Sequence, residues 1–241
     1  MSTGQPTVVH AFLAAVTARA DQPLVTFYDD ATGERAELSG ATLANWVAKT
    51  ANLLVDGLGL GPGSTAAVRL PPHWQTAAVL LGCWAAGLTV DLSGQHAAAV
   101  AFVSPPVEPM PPADEVYALA LAPLGMPFRP GPPPGTTDFI VEMRPYGDRL
   151  PPIATAPDQA ALAEGTRHAE LVAGAGAVAS PVPPAARLLI DVDAYPDPAT
   201  WLVAPLVAGA SVVLCRHLDA GQIDSRLATE RAVRFEPPTV A

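Results

Sequence analysis

The chain has 241 residues, of which 50% are hydrophobic and 15% are charged, and its formal net charge is −10. This composition is too apolar for a disordered chain, and the length suits one large domain or two small ones. The acidic balance disfavours nucleic acid as a partner, because phosphate backbones are themselves negative. The longest apolar run, from Ala77 to Val90, is shorter than the ~20 residues of a spanning helix, so a membrane is not expected as a partner either.

The N-terminus and the cysteines bear on the cellular compartment. Met1 to Gln5 carry no basic residue ahead of an apolar stretch, so no secretory signal is predicted and a cytoplasmic location is expected. Cys83 and Cys215 are the only cysteines, and each lies inside an apolar run. We expect two buried thiols rather than a disulfide.

The first ninety residues alternate helices with short apolar strands. The helical patterns have apolar residues at positions i, i+3, i+4 and i+7, and Ser39 is a predicted N-cap. The predicted elements are a helix over Thr7–Arg19, a hairpin of Leu24–Tyr28 and Glu34–Leu38, a helix from Ser39 to Gly57, a strand over Thr65–Leu70, a helix over His73–Ala86 and a strand over Leu88–Leu92.

The middle of the chain is interrupted by two proline-rich loops, Ser104–Pro112 and Pro127–Pro134, and a proline link at residues 181–184 precedes the last segment. The remaining predicted strands are Ala98–Val103, Val116–Leu121, Asp138–Glu142, Arg187–Val192, Ser211–Cys215 and Ala232–Phe235. The remaining predicted helices are Asp158–Ala173, Pro198–Ala208 and Ile223–Arg231.

Apolar strands that do not alternate with polar residues, and that are separated by helices, are typical of a buried parallel sheet. The predicted fold class is therefore α/β, a mostly parallel sheet with helices on both faces. We expect a single domain over residues 1–241, or two sub-lobes over about 1–125 and 138–241.

Two glycine-rich segments do not meet the requirements of a phosphate-binding loop. The segment Gly57–Ser64 follows a helix and precedes a strand, which is the reverse of a dinucleotide-binding turn. The segment Gly174–Ala179 matches the glycine spacing, but it reads as the end of a helix. A loop of the Gly-x-x-x-x-Gly-Lys type needs a lysine, and the single lysine, Lys49, lies within a predicted helix.

One carboxylate pair is a candidate metal site. Asp191 and Asp193 directly follow an apolar strand, where two carboxylates can hold Mg²⁺ or Mn²⁺ with a nucleotide-sugar diphosphate. The same residues are also ordinary turn formers, and Pro196, Asp197 and Pro198 continue such a turn. No other pattern suggests catalytic residues or a cofactor, so neither is predicted.

Several segments together resemble the adenylate-forming enzymes, which include the acyl-CoA synthetases and other AMP-binding proteins. They are Glu37–Leu43, Gly59–Gly63, Ala67–Pro71, Trp74 through Ala86-Gly87 to Val90, and Pro205 followed by Leu206–Leu214. The likeness covers roughly residues 7–92 and 186–236, and it implies a truncated N-terminal domain of that fold. The chain looks most like the short, single-domain members encoded in actinobacteria.

The departures from the family pattern concern the parts that carry the chemistry. The resemblance places a Ser/Thr/Gly-rich phosphate loop with a lysine near residues 138–160, where this chain has Asp138-Phe-Ile-Val-Glu-Met-Arg-Pro-Tyr-Gly-Asp-Arg-Leu-Pro-Pro152. It also implies that the adenine segment, the ribose-binding aspartate and the domain with the catalytic lysine fall beyond the 241 residues.

Three hypotheses follow from this comparison. The leading one is a non-catalytic relative that serves as a binding or interaction module, with an unidentified protein partner or a second copy of itself. The second is a metal-dependent enzyme of altered chemistry that uses Asp191 and Asp193. The third is part of an adenylating enzyme completed by another chain.

Overall fold

A computed structural model describes residues 6–152, 155–180, 182–183 and 185–237. The segment Met1–Gln5, on which the absence of a secretory signal was predicted, lies outside the described residues, as do Pro181 and Pro184 of the proline link. No helix in the described part of the chain is long and apolar enough to cross a membrane.

Seven α-helices are present among the described residues. They are α1 (Val8–Ala18), α2 (Gly40–Asn52), α3 (Trp74–Ala85), α4 (Phe139–Met143), α5 (His168–Ala179), α6 (Ala204–Val207) and α7 (Ile223–Glu230). Single π turns extend α2 over Leu53–Gly57 and precede α6 over Ala199–Val203. Ser39 caps α2 as predicted, because its hydroxyl accepts the backbone N–H of Thr42 at 3.1 Å.

The described residues form ten strands in two five-stranded sheets. They are β1 (Pro23–Asp29), β2 (Glu34–Ser39), β3 (Thr65–Arg69), β4 (Thr89–Asp91), β5 (Ala98–Val103), β6 (Ala113–Ala118), β7 (Thr137–Asp138), β8 (Arg187–Asp191), β9 (Ser211–Arg216) and β10 (Val233–Arg234). The first sheet has the order β10-β8-β9-β1-β2 and the second β4-β3-β5-β6-β7. Only the β1–β2 pair is antiparallel. The predicted α/β class with mostly parallel sheets flanked by helices is confirmed.

The chain forms two compact units. One contains the chain up to Leu43 together with the chain from Ala169 onward, and the other runs from Ala44 to His168. The first sheet lies in the first unit and the second sheet in the second. The first unit thus joins both halves of the sequence, whereas the sub-lobes suggested by the sequence were continuous. A single functional domain over residues 1–241 stays a prediction.

Two predicted elements are wrong in the middle of the chain. The segment Asp138–Glu142 was predicted as a strand, but only Thr137–Asp138 pairs with β6, and α4 begins directly afterwards. The helix predicted over Asp158–Ala173 begins only at His168. Residues 158–167 instead form turns, with isolated bridges from Leu162 to Val90 of β4 and from Ala160 to Arg167. At Asp138 the strand is ended by local bonds between that carboxylate and the first turn of α4, whereas at residues 158–167 the bridge to β4 overrides the predicted helix.

Helix α2 packs closely against α3 at a glycine of the second unit. A Cβ atom placed on Gly82 would lie 2.5 Å from the methyl group of Thr50, which is itself fully buried. Gly82 therefore sets the distance between α2 and α3.

The two cysteines are free and buried, as predicted.

Candidate functional site

The family resemblance places a phosphate loop near residues 138–160, and this stretch begins with the short helix α4. The backbone N–H groups in the first turn of α4 are already hydrogen-bonded within the chain. The carboxylate of Asp138 accepts backbone N–H groups from Ile140 at 2.9 Å and Val141 at 3.2 Å, which are the second and third residues of α4. It also accepts the N–H of Phe128 at 2.7 Å. These donors would face an incoming phosphate in a helix-terminus site, but here they bind a carboxylate of the same chain.

The single lysine is held by the residues that follow α4. The Lys49 ammonium donates to the carbonyl of Tyr146 at 2.6 Å and to that of Arg144 at 3.1 Å, and it lies 2.8 Å from the carboxylate of Asp148. One turn along α2, the Asn52 amide donates to two further carbonyls, those of Gly147 at 2.9 Å and Arg149 at 2.8 Å. The lysine therefore holds residues 144–149 against α2. Its ammonium group binds two backbone carbonyls and one carboxylate of this segment.

The two aspartates predicted as candidate metal ligands lie in a turn after β8. Asp191 accepts the backbone N–H groups of Asp193 at 3.1 Å and Ala194 at 3.2 Å. Asp193 accepts the N–H of His217, whose ring lies 2.8 Å from Asp29. No group of three or more potential ligands that could hold a metal ion occurs among the described residues. Metal binding by this pair stays a prediction, and each carboxylate has a structural role in the turn.

A charged network on the first sheet was missed by the sequence analysis. Glu230, the last residue of α7, accepts hydrogen bonds from Tyr28 on β1 at 2.5 Å, from Arg187 on β8 at 2.6 Å and from Arg35 on β2 at 3.1 Å. Burial by itself would raise the pKa of Glu230, but the bonds from Tyr28 and Arg187 more than offset this and lower it to about 2. No sequence signal links Tyr28 to a residue 202 positions away.

The carboxyl end of β1 borders a groove of about 340 Å³, which is where ligands bind in many open α/β sheets. Both of its arginines are bound by carboxylates of the protein. Asp30 holds Arg226 through two bonds of 2.6 and 3.1 Å, and the guanidinium lies 4.2 Å from the centre of the Tyr28 ring. The hydrogen bond from Arg226 lowers the pKa of Asp30. Arg35 is bound by Glu37 and Glu230, so the groove offers neither a free arginine nor a nucleophile beside a base.

The fold is that of the N-terminal domains of acyl-CoA synthetases. Similar solved structures include the N-terminal domain of FACL13 from Mycobacterium tuberculosis, with a TM-score of 0.67, 15% identity and 94% of this chain covered. They also include an acyl-CoA synthetase from Brucella canis, with a TM-score of 0.70, 15% identity and 96% coverage. This chain spans only 61% and 47% of the length of those two chains, and identities this low show the fold alone.

A full-length relative has a much closer sequence. No protein-family model matches the chain. However, it is 38% identical over 247 residues to a TIGR03089 family protein of Mycobacterium tuberculosis strain H37Rv. The alignment covers 95% of this chain and 98% of that protein. An alignment of this identity over nearly all of both sequences shows that the chain belongs to the TIGR03089 family, built on the acyl-CoA synthetase N-terminal fold.

Proposed function

We propose that the protein is a cytoplasmic, non-catalytic binding module that keeps the adenylate-forming scaffold without its chemistry. The observation that supports this proposal is that the backbone N–H groups in the first turn of α4 are already hydrogen-bonded. Asp138 occupies the amide groups at the start of this helix, and the segment that follows is fastened by Lys49. The position suggested by the family resemblance for a phosphate cradle therefore presents a carboxylate.

The energetic consequence is large. Adenylation needs donors and a cation to spread the charge that develops on the phosphorus and on the leaving pyrophosphate. Loss of a single such donor typically costs about 3–4 kcal/mol of transition-state stabilisation. Here residues 138–152 contain no serine, threonine or lysine, and the carboxylate of Asp138 would repel the phosphates.

ATP–pyrophosphate exchange tests the proposal directly. The purified chain is assayed with a panel of aliphatic and aromatic carboxylates and Mg²⁺, beside an active acyl-CoA synthetase as positive control. We expect no exchange above the buffer level. Exchange that co-elutes with the chain on a sizing column would overturn the proposal, because co-elution separates it from a contaminating synthetase.

The second unit exposes apolar side chains that fit a role in protein interaction. Leu124 is 83% exposed and Val141 is 56% exposed. Arg144 ties the turn carrying Leu124 to α4 through the carbonyl of Gly125 at 3.3 Å. Large apolar side chains exposed in this way would contribute to a contact with another protein.

Light scattering over a wide concentration range separates self-association from a foreign partner. A mass that rises with concentration, and that returns to the monomer in Leu124→Ser, supports self-association. A monomeric mass at every concentration counts against it.

A further inference from the structure

A groove of about 520 Å³ lies at the amino ends of the parallel strands in the first unit. We call it the amino-edge groove. Its volume falls within the ~300–1,000 Å³ of small-molecule sites. Six polar side chains that line it are those of Arg19, Gln22, Arg187, Ser211, Thr229 and Arg231. Three arginines border one groove in a chain whose net charge is −10.

The acids at this groove are already neutralised by neighbouring arginines. Glu230 and Glu37 also line it. Arg187 lies 2.6 Å from Glu230 and 3.5 Å from Glu37, while Arg35 lies 3.1 Å and 2.8 Å from the same two carboxylates. These four groups sum to zero charge. Arg19 and Arg231 form no ion pair with any described residue, so both guanidinium groups remain available to an anion in the groove.

Arg19 and Ser211 have hydrogen-bond donors that are not used by the described residues. The Arg19 guanidinium donates one bond, at 2.7 Å, to the carbonyl of Ala185, which fixes its direction while leaving its other N–H groups. Ser211 begins β9 and is only 1% exposed. Its hydroxyl forms no hydrogen bond to the described residues, and the side chain lines the groove. A hydroxyl that lines the groove and has no protein partner is free to bond a ligand oxygen.

Arg231 occupies a backbone position at which glycine is the favoured residue. It follows α7 with φ 49° and ψ 42°, in the left-handed region. Its N–H donates to Ala228, and the N–H of Ala232 donates to Leu227, which together make a Schellman ending. A side chain here costs about 1 kcal/mol relative to glycine. Replacing Arg231 by glycine therefore removes the guanidinium without harming the helix end.

We propose that the amino-edge groove binds a small phosphorylated molecule, with its phosphate held by Arg19, Arg231 and the hydroxyl of Ser211. Guanidinium groups give paired, charge-assisted hydrogen bonds to phosphate oxygens, and Arg19 and Arg231 supply two such groups without an ion-pair partner among the described residues. The groove is large enough for an organic body beside the phosphate. This site is in the other unit from α4, and its occupation is independent of whether the protein adenylates carboxylates.

Isothermal titration of the full chain with phenyl phosphate tests this site, in a chloride buffer of fixed ionic strength. Inorganic phosphate and benzoate are titrated in parallel. The variants are Arg19→Gln and Arg231→Gly, and the matched control is Arg129→Gln, which removes an exposed arginine of the second unit.

We expect one saturable site for phenyl phosphate, with tighter binding than for inorganic phosphate or benzoate. Arg19→Gln and Arg231→Gly should each weaken it about tenfold or more, because a bond to a charged group is lost. Arg231→Gly should keep or raise the melting temperature, and Arg129→Gln should bind as the unmodified chain does. The proposal is overturned by the absence of saturable binding, by affinity unchanged in Arg231→Gly, or by an equal loss in Arg129→Gln. Phenyl phosphate binding no tighter than benzoate would also overturn it.

Discussion

The buried imidazole of His168 should make the second unit sensitive to mild acid. This side chain is fully buried at the start of α5 and lies edge-on to the Trp84 ring, with the ring centres 6.4 Å apart. Neither ring nitrogen has a hydrogen-bond partner among the described residues. Burial lowers the pKa of His168 from 6.5 to about 4, because a charged ring would lose its hydration without gaining an acceptor.

The direction and size of the effect follow from linkage. In the unfolded chain His168 takes up a proton near its ordinary pKa, whereas the folded protein resists this until about pH 4. The free energy of unfolding is therefore highest above about pH 7, and it decreases as the pH falls from the ordinary pKa of 6.5 to the folded-state pKa of about 4. At ~1.4 kcal/mol per unit, the loss is about 2 kcal/mol at pH 5 and on the order of 3 kcal/mol at pH 4.

Urea unfolding at pH 7.5 and at pH 5 measures this loss through tryptophan fluorescence. The lower limit of pH 5 keeps Asp91 and Glu230 out of the comparison. Burial opposes ionisation of both, but hydrogen bonds to their carboxylates prevail and hold each pKa at about 2.

We expect His168→Leu to be at least as stable at pH 7.5 and to lose little stability at pH 5. The matched control is His96→Gln, because His96 is exposed, and it should retain the acid sensitivity of the unmodified chain. Equal stability of the unmodified chain at both pH values, or an undiminished loss in His168→Leu, would refute the reasoning.

Three further predictions concern packing, the lysine and the thiols. Gly82→Ala should lower the free energy of unfolding by about 1–3 kcal/mol through overpacking, whereas Gly174→Ala in α5, where a Cβ meets open space, should raise it by about 0.5–1 kcal/mol. The same sign for both in urea titrations would contradict the packing argument. Lys49→Met should cost about 1–2 kcal/mol and accelerate amide hydrogen exchange over residues 144–149; unchanged exchange there would show that the lysine does not hold the segment. Burial raises the pKa of Cys215 to about 11 and that of Cys83 still further, so Ellman's reagent should modify neither thiol until the protein is unfolded, and rapid reaction in buffer would disprove this.

Most helices and strands could be read from the sequence where burial has a simple period. The helix containing Leu43, Val47 and Leu54 repeats its apolar residues every three or four positions, and glycine or proline marks the ends of its neighbours. The segment Phe139–Met143 was misread because phenylalanine, isoleucine and valine favour strands. Its helix begins with the bonds from the amides of Ile140 and Val141 to the N-cap carboxylate of Asp138, a local signal that the strand preference of the following residues outweighed in the prediction.

The candidate sites also differ in whether they depend on consecutive residues or on residues remote in sequence. The missing Ser/Thr/Gly run is a property of consecutive residues, and the sequence showed it directly. The network at Glu230 and the amino-edge groove join residues from α1, β1, β2, β8 and α7, whose side chains have no periodic relation along the chain.

The sequence by itself determined the α/β class, the kinship to adenylate-forming domains and the lack of phosphate-loop residues, because burial period and motif order are local properties. Only the tertiary structure decided how the remaining polar groups are used. It directed Lys49 onto backbone carbonyls, gave Asp191 and Asp193 turn-forming bonds, and left Arg19 and Arg231 beside one groove. Such pairings depend on distances in space between residues that are remote in sequence, and the fold alone sets those distances.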